Sequence, residues 1–226
     1  MSIKENLEFV RERIAAAARR ANRSPDEIKL VAVTKTVPLP LIAEAIAAGI
    51  TDCGENRVQE ALAKLAAFPQ VNWHLIGHLQ RNKVKDVVGK FSLIHSVDSE
   101  RLGRELGARN TELGTQGKVL IEVNVSGEKT KYGVAPEELF PLLQVVGGFA
   151  SIQVEGLMTM APIVSDPSLA RPYFARLREL SEKANDLRLP NVTMKYLSMG
   201  MTDDFEVAVE EGANLVRIGR AIFAKE

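Results

Sequence analysis

The stretch KYLSMGMTDDFEVAVEEGANLVRIGRAIF, residues 195–223, contains two strand-and-helix units in succession. An apolar run ends in small residues and glycine at 198–202, and a helical pattern follows from Asp203 to Glu211. A second apolar run, NLVRIG, is followed by a short terminal helix. Strands that alternate with helices are typical of parallel sheets. The stretch therefore predicts two neighbouring parallel strands, each of which ends in glycine before a helix.

The same alternation extends back to the start of the chain. An amphipathic segment, with Ser2 and Glu5 placed for a capping box, comes before the first strand candidate. Eight strand candidates in 226 residues predict a closed (β/α)8 TIM barrel with an extra N-terminal helix, near the lower end of the size range of that fold. An open doubly wound sheet is the alternative. The strand candidates are KLVAVTK, ITDCGEN, NWHLIGHL, SLIHSVD, KVLIEVNVS, VEGLMTM, MKYLSMGM and NLVRIG.

The composition narrows the class of protein. The chain carries 29 basic and 29 acidic side chains, so neither nucleic acid nor an anionic membrane is expected as a partner. Its single cysteine, Cys53, excludes an internal disulfide and is expected to be a small buried apolar residue. No apolar window long enough to span a membrane and no signal-peptide core occurs. We therefore expect a single domain over residues 1–226, located in the cytoplasm.

Lys35, at the end of the first strand candidate, is the sharpest candidate for chemistry. Alternation in LVAVTK places Val31, Val33 and Lys35 on one face, so the lysine points into the barrel if the valines do. A buried lysine with a lowered pKa is a nucleophilic amine suited to imine formation. In the alternative, the strand ends here and the lysine reaches solvent. The rarity of buried lysine favours this alternative when the residue is considered alone.

Glycine turns after the last two strands indicate a phosphate site. The segments SMGMT and IGRAIF each place glycine before a helix N-terminus, where free N–H groups and the helix dipole bind anions. Phosphate loops at these two strands recur in (β/α)8 barrels. The amine of Lys35 lies on the first strand, which is adjacent to the eighth in a closed barrel. Together these features predict a phosphate-bearing aldehyde as the ligand.

Other polar residues at strand ends have competing explanations. Alternation turns Arg217 toward the same ligand, or else it pairs inside the barrel with Glu122 or Glu155. Histidines at the strand ends lack the carboxylate spacing of a metal site, so we expect ordinary barrel histidines and no metal. Methionines near the strand ends are expected to fill the core rather than to contact a flat aromatic ligand. These residues are His74, His78, His95, Met158, Met160, Met199 and Met201.

Seven segments spread over nearly the whole chain carry a resemblance to a known family: VAVTKTV, GENRVQEAL, WHLIGHLQRNK, IHSVDS, VNVSGEKTKYGV, GLMTM and LSMGMTDDFEVAVEEGANLVRIGRAIF. Together they resemble the pyridoxal phosphate homeostasis proteins. The barrel of that family is similar to the N-terminal barrel of alanine racemase and to that of eukaryotic-type ornithine decarboxylase, the fold type III arrangement. The sequence departs from the family at IFAKE, residues 222–226, where a glycine usually follows the phenylalanine.

The resemblance implies a binding site for pyridoxal 5′-phosphate (PLP). Lys35 would hold the cofactor as a Schiff base, Asn56 would lie near its ring, and Arg217 would face the pyridine nitrogen. A guanidinium at that nitrogen favours an unprotonated ring, which is a poorer electron sink for carbanion chemistry. The phosphate would be surrounded, largely through backbone N–H groups, by Ser198, Gly200, Met201, Thr202, Gly219 and Arg220.

The two aspartates after SMGMT require an explanation beside a phosphate. Thr202 is expected to be the N-cap of the following helix, which places Asp203 and Asp204 in its first turn, where carboxylates favour the helix dipole. We expect the backbone amides from Gly200 to Thr202 to face the phosphate and both carboxylates to point toward water. An aspartate that lines the cavity would contradict the assignment of this loop to phosphate.

Three functions are compatible with such a site. The first is a non-catalytic PLP carrier in cofactor homeostasis, acting as a monomer and passing PLP to apo-enzymes. The second is a small amino-acid racemase or decarboxylase. Related fold type III enzymes carry a separate β domain, for which no room is expected because the chain ends almost directly after strand eight. The third is a cofactor-free lyase in which Lys35 attacks a phosphorylated substrate. We expect the first.

Overall fold

The structure, a computed structural model, describes residues 2–224. Its eight parallel strands pair in sequence order, and the first strand also pairs with the eighth, so the sheet closes. The predicted (β/α)8 barrel is confirmed, and this closure excludes the open sheet. The strands are β1 (Lys29–Val33), β2 (Asp52–Glu55), β3 (Asn72–Leu75), β4 (Leu93–Val97), β5 (Gly117–Glu122), β6 (Ile152–Met158), β7 (Val192–Ser198) and β8 (Leu215–Ile218).

One helix precedes the barrel and one follows each strand. The helix after β3 is short, because a 3-10 helix over Arg81–Lys83 takes the place of its first turn. Among the described residues, no helix is both long enough and apolar enough to cross a membrane. The helices are α1 (Ile3–Arg20), α2 (Leu39–Ala47), α3 (Val58–Ala67), α4 (Val84–Val87), α5 (Glu100–Glu112), α6 (Leu139–Gly147), α7 (Arg171–Asp186), α8 (Phe205–Glu210) and α9 (Arg220–Phe223).

The extra N-terminal helix α1 begins at the predicted capping box. The Ser2 N–H donates to Glu5 Oε2 at 2.7 Å, and the Glu5 N–H donates to Ser2 Oγ at 3.3 Å. The apolar face of α1 is buried and packs on α8 and α9. Arg13 of α1 also donates to Glu206 of α8 at 2.6 Å. The helix therefore covers the part of the barrel where β8 meets β1.

The barrel interior divides into an apolar part and a polar part. Five apolar side chains from five strands contact one another inside the barrel, while the helices enclose a larger core outside it. Met158 belongs to the inner cluster, and Met199 is also fully buried, so these two methionines fill the core as predicted. The inner apolar residues are Val31, Leu93, Leu120, Met158 and Leu215.

Strand β1 ends two residues earlier than predicted. It stops at Val33, and the Thr34 N–H donates to the Gly54 carbonyl at 3.0 Å. Lys35 and Thr36 then form a turn in which Thr36 adopts a φ of 61°. Lys35 therefore belongs to the turn rather than to the strand, and its side chain is exposed.

The departure from the family at the C-terminal end leaves no strain in the described residues. Ala224, which follows Phe223, ends α9 with φ −67° and ψ 131°, a conformation that does not require glycine. Lys225 and Glu226, the last two residues of the IFAKE ending, lie outside the described residues.

Candidate functional site

A cavity of about 260 Å³ lies at the C-terminal end of the barrel. This end carries the ligand sites of (β/α)8 barrels, and the volume is close to the lower bound of about 300 Å³ for small-molecule sites. Six of the nine predicted site residues line the cavity. The full lining is Val33, Lys35, Ala161, Pro162, Ile163, Val164, Pro167, Met201, Thr202, Asp203, Asp204, Arg217, Gly219 and Arg220.

Lys35 lies at the mouth of this cavity. Lys35 is exposed, so the alternative that was favoured for this residue considered alone, in which the strand ends and the lysine reaches solvent, is observed. The same lysine nevertheless lines the cavity together with Gly219 and Arg220. Its amine is therefore accessible to solvent and placed beside the loop that follows β8.

A buried ion pair that sequence reasoning missed holds the backbone just before Lys35. Lys64 of α3 donates 2.7 Å hydrogen bonds to Glu55 Oε1 and to the Thr34 carbonyl. The Thr34 hydroxyl also donates to Glu55 Oε1, at 2.5 Å. Glu55 is fully buried, and its Oε2 has no hydrogen-bond partner among the described residues. The pair fixes the position at which β1 gives way to the Lys35 turn.

Several backbone N–H groups at the cavity are free to bind an anion. Those of Thr202, Gly219 and Arg220 donate to no acceptor within the described part of the chain. The Met201 N–H is not free, because it donates to Asp204 Oδ1 at 2.6 Å. Amide donors from the loops after β7 and β8 thus face one cavity, as expected for a phosphate site.

The prediction that both aspartates point toward water is wrong. Helix α8 begins at Phe205 with Asp204 as its N-cap, not Thr202, and the Asp204 side chain turns back to accept the Met201 N–H. Asp204 is buried, and burial raises the pKa of its carboxyl. Asp203 is exposed and pairs with Arg220. Both aspartates line the cavity, so the assignment of the whole loop from Gly200 to Thr202 to phosphate is wrong by the criterion given above, and of that predicted row only the Thr202 N–H is free at the cavity.

Arg217 reaches the cavity from inside the barrel. Its Nη1 donates to Ser198 Oγ at 2.6 Å and its Nη2 donates to the Thr159 carbonyl at 3.0 Å. Neither Glu122 nor Glu155 forms an ion pair with it in the described residues, so the predicted alternative pairing is absent there. Burial lowers the pKa of Arg217 to about 10, against the attraction of Glu122 and Asp204. The guanidinium therefore stays charged at neutral pH.

The structure does not bring three of the predicted residues to the cavity lining. Ser198 is fully buried behind Arg217. Gly200, with φ 90°, lies where a Cβ atom would meet Ala208 Cβ at 2.6 Å, so it permits close packing of the loop on α8. Asn56 is exposed and lines a neighbouring cavity with His78, which stacks on Tyr132 with ring centroids 3.9 Å apart.

Two of the three histidines and the cysteine are interior residues. His74 and His95 are buried and hydrogen-bond to each other at 2.9 Å. Cys53 is buried as predicted, and burial raises the pKa of its thiol to about 12, so it is not a reactive nucleophile at neutral pH.

Glu122, at the end of β5, predicts an unusual pH dependence of stability. Burial, and then the Asp98 carboxylate, raise the pKa of Glu122 from 4.5 to about 7, against the attraction of Arg217. The folded state thus holds this proton more tightly than the unfolded state, so stability falls as pH rises from 4.5 to about 7. We expect Glu122→Gln to stabilise the protein at pH 8 by on the order of 2 kcal/mol, and little at pH 4.5.

Urea unfolding of both proteins at the two pH values measures this difference. A gain of equal size at pH 4.5 and pH 8 would contradict the assignment of the effect to Glu122 ionisation.

Comparison with known proteins identifies the family. The model of the alanine racemase N-terminal domain matches residues 6–226. The pyridoxal phosphate homeostasis protein of Aquifex aeolicus is 46% identical to this chain, over 100% of this chain and 99% of that protein. PipY of Synechococcus elongatus, solved with PLP bound, is 34% identical with a TM-score of 0.85, over 99% of this chain and 100% of PipY.

A more distant neighbour shows the fold alone. An alanine racemase of Clostridium difficile is 15% identical with a TM-score of 0.76, over 98% of this chain and 57% of the racemase. The similarity to the barrel of alanine racemase that the sequence indicated is thus confirmed at the level of the fold. Because the Aquifex aeolicus protein is 46% identical over nearly the full length of both chains, this chain belongs to the pyridoxal phosphate homeostasis protein family.

Proposed function

We propose that this protein binds PLP covalently at Lys35 and acts as a non-catalytic carrier in PLP homeostasis. The observation that carries the proposal is the placement of an accessible lysine amine in one cavity with unpaired N–H groups from the loops after β7 and β8. We further propose that residues 1–226 act as one domain, in the cytoplasm. The PLP-bound structure of PipY, a relative at 34% identity, supports the choice of ligand.

We propose that the phosphate group binds the free backbone amides around the cavity and not the full row of amides from Gly200 to Thr202. The N–H groups of Thr202, Gly219 and Arg220 are the proposed donors, while Ser198, Gly200 and Met201 shape the loop without contacting the phosphate. The Arg220 guanidinium joins them when its ion pair with Asp203 opens. Both partners of that pair are about 70% exposed, and such surface pairs are worth about 1 kcal/mol or less. A phosphate dianion competes well against one carboxylate.

The aromatic ring is proposed to lie between Lys35 and Arg217. When bound, PLP supplies an aldehyde that condenses reversibly with a primary amine and releases water. Arg217 keeps its proton at neutral pH and has N–H groups beyond the two that bind Ser198 and Thr159. It would therefore hold the ring nitrogen in its unprotonated form, which would weaken the ring as an electron sink. Asn56 is proposed to approach the ring edge from the neighbouring cavity.

The cavity lining favours a carrier over an amino-acid racemase. Racemisation needs a proton donor and a proton acceptor on opposite faces of one carbon atom. Lys35 is the one amine among the lining residues, and no histidine, tyrosine or cysteine lines the cavity in the described chain. The carboxylates of Asp203 and Asp204 are held by Arg220 and the Met201 N–H. We propose apo-enzymes as recipients of the cofactor and a monomer as the working form.

Absorption and mass spectrometry test the proposal together. The purified protein is incubated with excess PLP, reduced with borohydride, digested and mapped. We expect a near-visible band before reduction and a pyridoxyl label on Lys35 after it. Pyridoxal, which lacks the phosphate, is the matched control and is expected to bind at least tenfold more weakly. A protein that stays colourless in excess PLP would overturn the proposal.

A second measurement separates the carrier from the enzyme. Racemase and decarboxylase assays over a panel of amino acids are expected to show no turnover above that of free PLP. Clear turnover by the PLP-loaded protein would show that the carrier hypothesis is wrong and that the protein is a fold type III enzyme. A colourless protein that cleaves a phosphorylated substrate would indicate the cofactor-free lyase.

A further inference from the structure

A chain of buried hydrogen bonds crosses the barrel interior from Arg217 to Asp52. Its three middle members, Ser198, His95 and His74, are each no more than 3% exposed. It begins beside the PLP cavity, which Arg217 lines, and ends at the first residue of β2, near the opposite end of the barrel. The links are Arg217 Nη1 to Ser198 Oγ at 2.6 Å, Ser198 Oγ to His95 Nδ1 at 2.9 Å, His95 Nε2 to His74 Nδ1 at 2.9 Å, and His74 Nε2 to Asp52 Oδ1 at 2.9 Å.

When His74 is neutral, the chemistry of the two ends fixes the direction of every donor in the chain. Asp52 accepts, so His74 must donate from Nε2 and, when neutral, accept at Nδ1. His95 must then donate from Nε2 and accept at Nδ1, which receives the Ser198 hydroxyl proton. The oxygen of Ser198 is left to accept from Arg217, which can only donate. All donors therefore point from Arg217 toward Asp52.

Both ends of the chain are held firmly. Asp52 also accepts from Lys29 Nζ and Thr51 Oγ1, each at 2.8 Å. Although burial opposes it, the hydrogen bonds from His74, Lys29 and Thr51 keep the pKa of Asp52 well below its usual range, so it stays an acceptor. At the other end, the Thr159 carbonyl accepts from Arg217 at 3.0 Å.

His95, in the middle of the chain, stays uncharged. Burial is the main cause that holds the pKa of His95 well below its usual range, and the positive charge of Arg217 adds to it. A neutral His95 keeps one ring nitrogen as an acceptor at all pH values near neutrality, and that acceptor faces Ser198.

We propose that His95 and His74 are positioning residues that act through Ser198 to hold Arg217 against the cofactor ring. With the Ser198 proton committed to His95, the hydroxyl oxygen has no role except as an acceptor for Arg217. The guanidinium is thereby pinned in one orientation and presents a fixed N–H donor to the cavity. The contact with the ring rests on the proposed PLP function, whereas the direction of the chain does not.

NMR of the ligand-free protein tests the direction of the hydrogen bonds from Arg217 to Asp52. The protein has three histidines, so 15N labelling of histidine gives a small and assignable set of ring signals. We expect each of the two rings to donate from Nε2 and to accept at Nδ1, and the His95 signals not to titrate between pH 5.5 and pH 9. An Nδ1–H tautomer in either ring, or titration of His95 in this range, would overturn the chain as described.

Two variants of His95 test its coupling to Arg217 in the PLP-loaded protein. His95→Leu removes the acceptor for Ser198, and we expect a shifted absorption band and at least tenfold faster loss of PLP on dialysis. His95→Gln keeps one acceptor and one donor on a planar group, and we expect both readouts within threefold of the parent. Thermal melting confirms that each variant is folded, and Ser198→Ala, expected to behave as His95→Leu, replaces the leucine variant if that one does not fold.

The outcomes separate this inference from the proposed function. If the parent protein takes up no PLP, the proposed function and the ring contact fail together, while the NMR result still decides the direction of the chain. If the parent takes up PLP but the leucine and glutamine variants share its absorption band and its rate of cofactor loss, the positioning role is wrong and the proposed function stands.

Discussion

Lys35→Ala is expected to abolish covalent capture of PLP. Lys35 is the one amine that lines the cavity in the described part of the chain, so its loss removes the only local nucleophile for the aldehyde. We expect the near-visible band and the borohydride-stable label to disappear, and the cofactor retained after dialysis to fall by at least tenfold. The free amides of Thr202, Gly219 and Arg220 remain, so weak noncovalent binding through the phosphate persists.

The matched control is Lys85→Ala. Lys85 is exposed on α4 and lines none of the cavities near Lys35, so its variant is expected to retain the band, the label and the melting temperature. Retention of a full-strength band by Lys35→Ala, with the label on another lysine, would show that the attachment site lies elsewhere.

Lys64→Met is expected to cause a large loss of stability. Among the described residues, it leaves Glu55 as a buried carboxylate with only the Thr34 hydroxyl as a partner. Removal of one partner of a buried ion pair costs about 3–5 kcal/mol, because the remaining charge is uncompensated. Urea unfolding at pH 7 measures this loss. Because Lys64 also holds the Thr34 carbonyl, PLP capture at Lys35 is expected to slow as well.

Two further variants decide whether the cost arises from the uncompensated charge. The double variant Glu55→Leu, Lys64→Met replaces the pair by apolar groups and is expected to be more stable than Lys64→Met alone. Lys4→Met breaks the Lys4–Glu8 contact, which joins largely exposed side chains at 3.9 Å, and is expected to cost less than about 0.5 kcal/mol. Equal losses in Lys64→Met and the double variant would contradict the explanation.

The sequence predicts most of the fold, because alternation and turn chemistry are local signals. The capping box of Ser2 and Glu5, the eight strands and the order of helices all follow from short segments. The ends of helices and strands are harder to predict where a side chain has two alternative hydrogen-bond partners. Asp204 illustrates this, since it caps its own loop by accepting the Met201 N–H and delays the start of α8 to Phe205.

The candidate site is only partly predictable, because its fine geometry depends on contacts between distant strands. Alternation along β1 left open whether Lys35 points into the barrel, but the strand ends at Val33 and Lys35 lies in a turn where Thr36 adopts a φ of 61°. The link between His74 and His95 depends on how far each strand is shifted relative to its neighbour. Polar residues at interior strand positions were the available signal, and their spacing in sequence does not reveal that they touch.

The pairing of β1 with β8 has a consequence for the order in which the protein becomes competent to bind PLP. The proposed attachment lysine follows the first strand and the proposed phosphate donors Gly219 and Arg220 follow the eighth, so the chain must be synthesised through β8 before both exist. Ring closure is thus a prerequisite for capture. A ligand that contacts residues on both sides of this pairing stabilises the closed barrel. The ratio of closed to opened protein therefore rises with the ligand concentration. The protein would then be most resistant to opening when its cargo is most abundant.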